Sequence, residues 1–149
     1  SYYIAEIKSL KRILDNIKNT VPCLCIIDEV LRGTNTVERI AASSEVLCHL
    51  SRSNCVCIAA THDIELTSIL KHYFENYHFQ ESFSGNEIVF DYKLYPGKSN
   101  TRNAIKLLKL MGYKDRIVSN AEERALKFID SGIWNEIGLM GNQKLDVRS

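Results

Sequence analysis

Val21-Pro22-Cys23-Leu24-Cys25-Ile26-Ile27-Asp28-Glu29-Val30-Leu31-Arg32-Gly33-Thr34-Asn35-Thr36 carries an apolar run that stops abruptly at two adjacent carboxylates. The six residues from Cys23 to Asp28 hold no charge until the last, are too few for a typical helix and follow a proline, so they read as a strand. Their lack of polar alternation suits a parallel sheet covered on both faces, where ligands gather at the carboxyl ends of the strands. Asp28 stands at that end. In hydrolases that cradle a triphosphate, an acid in this place helps hold magnesium while a neighbouring group positions water, and Glu29 is placed for the second role. The plainer alternative is a pair of solvated acids opening a loop, because short motifs match by chance.

A second apolar run, Cys55-Val56-Cys57-Ile58-Ala59-Ala60, ends in Thr61-His62, which brings an imidazole to the same kind of strand end. Two ring nitrogens let a histidine there hydrogen-bond a terminal phosphate; the alternative is an ordinary loop histidine. Between the runs, residues 36–52 put Val37, Ile40, Ala41, Ser44, Leu47 and Leu50 on one helical face, giving a strand, helix, strand unit. Asn35 with Glu38 three residues later predicts a capping box at the start of that helix, with Asn in place of Ser or Thr.

These segments resemble the ATPase domain of MutS-type DNA mismatch-repair proteins. Asp28-Glu29-Val30-Leu31-Arg32-Gly33-Thr34 is similar to that family's Walker B segment and following loop, and Ala60-Thr61-His62-Asp63-Ile64-Glu65-Leu66 to its histidine-switch segment. Ser1-Tyr2-Tyr3-Ile4-Ala5-Glu6-Ile7 resembles the signature segment, and the order of the three agrees. The resemblance covers roughly residues 1–130, departing at Leu31, where the family commonly has glycine. No G-x-x-x-x-G-K-[ST] phosphate loop occurs; in the family it lies upstream of the signature. Gly97-Lys98-Ser99 imitates its end, but Tyr92 stands where the earlier glycine is required, so it reads as a turn leading into a helix capped by Asn100 or Thr101.

The resemblance implies an α/β fold, a partial P-loop NTPase (ABC-like) domain with parallel core strands, a β-hairpin and carboxy-terminal helices. It implies ATP and magnesium as cofactors, with Asp28 helping to hold the metal, Glu29 activating water and His62 sensing the terminal phosphate. Ser1 and the loop of Arg32, Gly33, Thr34 and Asn35 would face the nucleotide of a second subunit in a homodimer. Residues 1–131 would form the carboxy-terminal half of the ATPase domain, residues 132–149 a tail without an assigned role. Alone, such a piece is expected to hydrolyse ATP poorly. Two other readings are a non-catalytic dimerisation module and a related ABC-type ATPase of recombination or chromosome maintenance.

At 149 residues, 45% hydrophobic and 25% charged, the chain can bury one sizeable core. A net charge of +1 gives no electrostatic footprint for a nucleic-acid backbone, so direct DNA binding by this segment is not expected; the resemblance implies that other domains, absent from this chain, grip the duplex. Lys8, Lys11, Arg12 and Lys18, diluted by Glu6 and Asp15, read as a solvated helix face. No stretch is apolar enough to span a bilayer and the start is not signal-like, so a cytoplasmic setting without membrane contact is expected.

Cys23 with Cys25 and Cys55 with Cys57 form two C-x-C pairs on strands that should be neighbours, each pair on one side of its strand. Four thiolates could close around zinc, but structural zinc ligands come from turns with C-x₂₋₄-C spacing and reduced cysteine is commonly buried, so a core role is the better reading. Residues 3–18 carry a stripe of Tyr3, Ile7, Leu10, Leu14 and Ile17. A short helix from Ile64 to Tyr73 follows the histidine, then a hairpin of residues 76–83 and 87–95 around Ser84-Gly85-Asn86. Helices over 101–112 and 115–130 complete the pattern.

Overall fold

The computed structural model describes residues 2–101 and 103–138. Ser1 and the tail beyond residue 138 therefore lie outside the described residues. The chain divides into two compact units: the residues up to Gln80 with Tyr92–Ser99, and Glu81–Asp91 with those from Asn100 onward.

The first unit contains α1 (Tyr2–Asn16), β1 (Cys23–Asp28), α2 (Thr36–Ser51), β2 (Cys55–Ala60), α3 (Ile64–Ile69), β3 (Tyr77–His78) and β6 (Tyr95–Pro96). β1 and β2 are parallel neighbours, with Cys23 opposite Cys55 and Asp28 opposite Ala60. The apolar composition predicts cover on both faces, yet only one is covered among the described residues. Cys25 and Ile27 are buried there, while Leu24, Ile26, Val56 and Ile58 on the other face are between 58% and 68% exposed. Alternation assigns the faces: the cysteines share the covered side. Burial and the neighbouring thiols push the Cys57 thiol up to about 12, the behaviour of a core residue.

That covered side meets Ile40, Leu47 and Leu50 of α2, Leu66 of α3 and Leu70 just beyond it, with Tyr3, Leu10, Ile13 and Leu14 of α1 at the margin. Ile7, expected on the α1 stripe, is exposed, and Ile13 packs instead. Val37 is likewise exposed on α2, while Ser43 is fully buried and donates from Oγ to the Val30 carbonyl at 3.3 Å. Asn35 caps α2 by accepting the Glu38 amide at 3.0 Å. The Glu38 carboxylate returns to Asn35 Nδ2 at 2.6 Å and to the Thr34 hydroxyl at 3.1 Å. The box is thus reciprocal, although its return bonds reach side chains rather than the cap's own amide.

Residues 76–95 do not form one continuous hairpin. β4 (Glu81–Ser84) pairs with β5 (Glu87–Phe90) across the two-residue turn of Gly85 and Asn86, with Gly85 at φ 61. β3 pairs separately with β6, in the other unit. Alternation continues through Tyr92 in sequence, but that residue takes φ 55, which ends the extended run. Gly97 closes the β3 and β6 ladder: its amide donates to Asn76 at 2.7 Å and its carbonyl meets His78 Nδ1 at 2.9 Å.

In the second unit, α4 (Ala104–Leu110) starts later than residue 101. Its amino-terminal residue is Asn103, not Asn100 or Thr101, and the buried Asn103 side chain donates to Glu81 Oε1 at 2.9 Å instead of capping. α5 (Asp115–Ser131) ends at Gly132 in the left-handed conformation. Trp134 then stacks on Phe128 at 4.0 Å between ring centres, and Arg124 donates to the Asn135 carbonyl at 2.8 Å.

Leu50→Ala removes a side chain with 0% exposure. It is expected to destabilise the chain by about 2–5 kcal/mol, seen as a lower urea midpoint at unchanged slope. Leu31→Gly opposes two effects, because Leu31 is buried and also sits at φ 55. Relief of the left-handed conformation returns roughly 1–2 kcal/mol and the emptied core position costs about 2–5 kcal/mol. A net loss of up to about 4 kcal/mol is expected; a variant more stable than the parent would mean that strain dominates at this position.

Candidate functional site

Asp28 ends β1 exposed, beside Ala60 at the end of β2. Glu29 extends the ladder by one bond, donating its amide to the Ala60 carbonyl at 3.0 Å, and then turns at φ 61. A left-handed conformation at a non-glycine residue costs energy and is kept where surrounding structure enforces it. His62 follows β2 in the loop before α3, and its Nε2 lies 3.5 Å from Glu29 Oε1. The two ends are unequal in cover: the Glu29 side chain is 18% exposed and that of His62 96%. The parallel register therefore brings the acidic and imidazole-bearing tips to one edge, where the pair is ionic only with the ring protonated.

The loop residues are held individually. The Arg32 and Gly33 amides both donate to Glu6 of α1, and Arg32 Nη2 lies 3.4 Å from the Tyr2 hydroxyl. Thr34 and Asn35 are engaged by Glu38 at the start of α2. Beside this loop, a cleft of about 370 Å³ is lined by Tyr2, Glu6, Leu10, Asp28, Glu29 and Arg32, among others. Of the residues expected at the site, Asp28 is thus the last residue of β1, and Glu29, His62, Arg32, Gly33, Thr34 and Asn35 lie on the loops at the carboxyl ends of β1 and β2, while Ser1 lies outside the described residues.

Sequence reasoning missed two residues that fix the histidine segment. Arg39, in the first turn of α2, makes a bidentate contact with Asp63, from Nε at 2.7 Å and from Nη2 at 2.5 Å. Asp63 precedes α3 directly and donates its amide to the Thr61 hydroxyl at 3.0 Å. The hydrogen bonds and charge of Arg39 lower the Asp63 pKa against a smaller opposing effect of burial. The same contact, with further help from Glu29 and Glu65, raises that of Arg39. An acid immediately after His62 and a base four residues after Asn35 were visible as residues, but nothing in their 24-residue separation signals the pairing.

A depressed carboxylate pKa contributes stability above its unfolded value and loses it as pH falls through the folded one. The gap in thermal midpoint between the parent and Asp63→Asn is therefore expected to be full above about pH 5 and to shrink below about pH 4. A gap that stays constant down to about pH 3 would show that the pairing carries no charge dependence.

Comparison with known proteins gives a consistent answer. The family model described as MutS domain V matches residues 1–129. The DNA mismatch repair protein MutS of Rickettsia prowazekii is 30% identical over 146 residues, covering 95% of this chain and 16% of that protein. The corresponding protein of Rickettsia akari is 30% identical over 152 residues, covering 99% and 17%. That of Thermotoga petrophila is 29% identical over 125 residues, covering 83% and 16%. The chain spans about a sixth of the length of these curated relatives. With the family model matched over most of its residues, this chain belongs to the MutS domain V family.

Proposed function

We propose that this chain supplies the water- and phosphate-handling part of an ATP-hydrolysing site in a MutS-like DNA mismatch-repair protein. The observation that carries the reading is the meeting of Glu29 with His62, 3.5 Å apart, at the carboxyl ends of parallel neighbours. Ligands of open α/β sheets gather at such ends. Family membership and the printed function of the relatives point the same way.

In this reading residues 1–131 are the carboxy-terminal half of a P-loop NTPase domain, with residues 132–149 a tail outside it. Asp28 would be the metal-holding acid. Its fit follows from donor chemistry: magnesium takes one or two carboxylates together with substrate phosphates, so an exposed aspartate at a strand end suffices. Among the described residues there is no group of three or more His, Cys, Asp or Glu side chains able to hold a metal, so the donor set suits a site shared with phosphates rather than an all-protein cage. Bound magnesium would neutralise charge on the phosphate oxygens.

Glu29 would orient the attacking water and accept its proton. Its left-handed backbone and limited exposure hold that carboxylate at the turn. His62, exposed beside it, would hydrogen-bond the terminal phosphate, with the pairing of Arg39 and Asp63 fixing the next residue. Ser1, Arg32, Gly33, Thr34 and Asn35 would face the nucleotide of a second copy in a homodimer, and DNA would be gripped by other domains. No helix among the described residues is long and apolar enough to cross a membrane.

The test is ATP turnover by the native polypeptide that contains these residues. Glu29→Gln, which keeps size and removes the base, is expected to lower kcat by roughly 10²-fold or more while nucleotide binding persists. Turnover that survives the change would remove Glu29 from the chemistry; an inactive but folded and dimeric parent would instead identify a non-catalytic dimerisation module.

A further inference from the structure

We infer that Glu6 is a positioning residue, which ties α1 to the loop of residues 32–35 so that the two move as one body. The inference rests on the proposal that this loop serves a nucleotide site. Glu6 lies 26 and 27 residues before its two partners, Arg32 and Gly33. One carboxylate oxygen accepts the Arg32 amide at 3.2 Å, the other accepts the Gly33 amide at 3.1 Å. Each oxygen thus serves one of two successive amides. An ionised acceptor strengthens both bonds relative to a neutral one.

A second, independent observation places the helix backbone itself against the loop. A Cβ added to Gly33 would stand 2.8 Å from Tyr3 Cβ and 3.1 Å from its Cα, a gap that only glycine permits. Tyr2, Tyr3 and Glu6, on the first turns of α1, therefore all reach residues 32–33. The arrangement also occupies the Glu6 carboxylate, in a cleft that already holds Asp28 and Glu29.

The contacts continue beyond the loop. Asn35 caps α2, and Arg39 in the first turn of α2 grips Asp63 beside His62. A shift of α1 would reach the histidine segment through these contacts, each an individual hydrogen bond between elements of one unit.

Glu6→Gln discriminates because it keeps the side chain's size while offering a single oxygen acceptor and turning an NH₂ group toward the other amide. In this chain, amide hydrogen exchange followed by NMR should quicken roughly tenfold at Arg32 and Gly33 and stay unchanged in β1 and β2. In the native polypeptide, kcat should fall roughly threefold to tenfold while KM for ATP stays within about twofold. Unaltered exchange at both amides overturns the inference, as does faster exchange with unaltered kcat. Turnover indifferent to Glu29→Gln would defeat the site proposal, and the amide exchange would still decide whether Glu6 holds the loop. Glu6→Ala, lacking both acceptors, should exceed Glu6→Gln in both measurements; the reverse order also overturns the inference.

Discussion

The parallel pairing of β1 with β2 is the constraint on which the candidate site depends. Its register sets Asp28 beside Ala60, and the extra bond from the Glu29 amide carries the pairing one residue past the strand. A slip of one residue would exchange faces, exposing the cysteines and Ile27 and burying Asp28. Core and site are therefore set by one choice. The packing of Cys25 and Ile27 against the helices selects the register, and the register delivers Glu29 to His62.

Around that edge, three carboxylates have structural duties. Glu6 engages two loop amides, Glu38 closes the start of α2, and Asp63 receives Arg39. Asp28 and Glu29 have no such hydrogen bonds from the loop and stand at the strand end. The division has a physical basis: loop amides beside a cleft need acceptors, and a loop whose amides are taken by Glu6 of α1 makes no such demand on Asp28 and Glu29. The Arg39 guanidinium, held chiefly by Asp63, also feels the charge of Glu29, which adds to the rise of its own pKa.

How much of this could be read from the chain depended on range. The bounds of β1 and β2, the helix between them and the Asn35 cap were legible because each is written in neighbouring residues: unbroken apolar runs, a 3.6-residue stripe and a three-residue spacing. The contacts of Glu6 with Arg32 and Gly33, and of Arg39 with Asp63, span 24 to 27 residues and leave no local pattern. Composition marks both faces of the sheet as apolar without naming the residues that pack on them, and among the described residues only one face is covered. The break at Tyr92 was equally hidden, since alternation of side chains continues through a residue whose φ has changed sign.

The turn after β1 shows why a glycine is not needed there. Glu29 and Leu31 take φ 61 and 55, conformations that cost side-chain-bearing residues roughly 1–2 kcal/mol each. Val30 and Leu31 are each only 4% exposed, and burying side chains of this kind contributes about 1.5–3 kcal/mol apiece. Burial at two positions outweighs strain at two, so the turn is held from the core side and by the bond from the Glu29 amide on the strand side. The direction of the Glu29 carboxylate is consequently set by backbone. His62, almost wholly exposed, has room to turn about its own side chain, while Asp63 anchors the backbone next to it. Within this pair the acid is the fixed member and the imidazole the adjustable one, a division that agrees with the roles proposed for them.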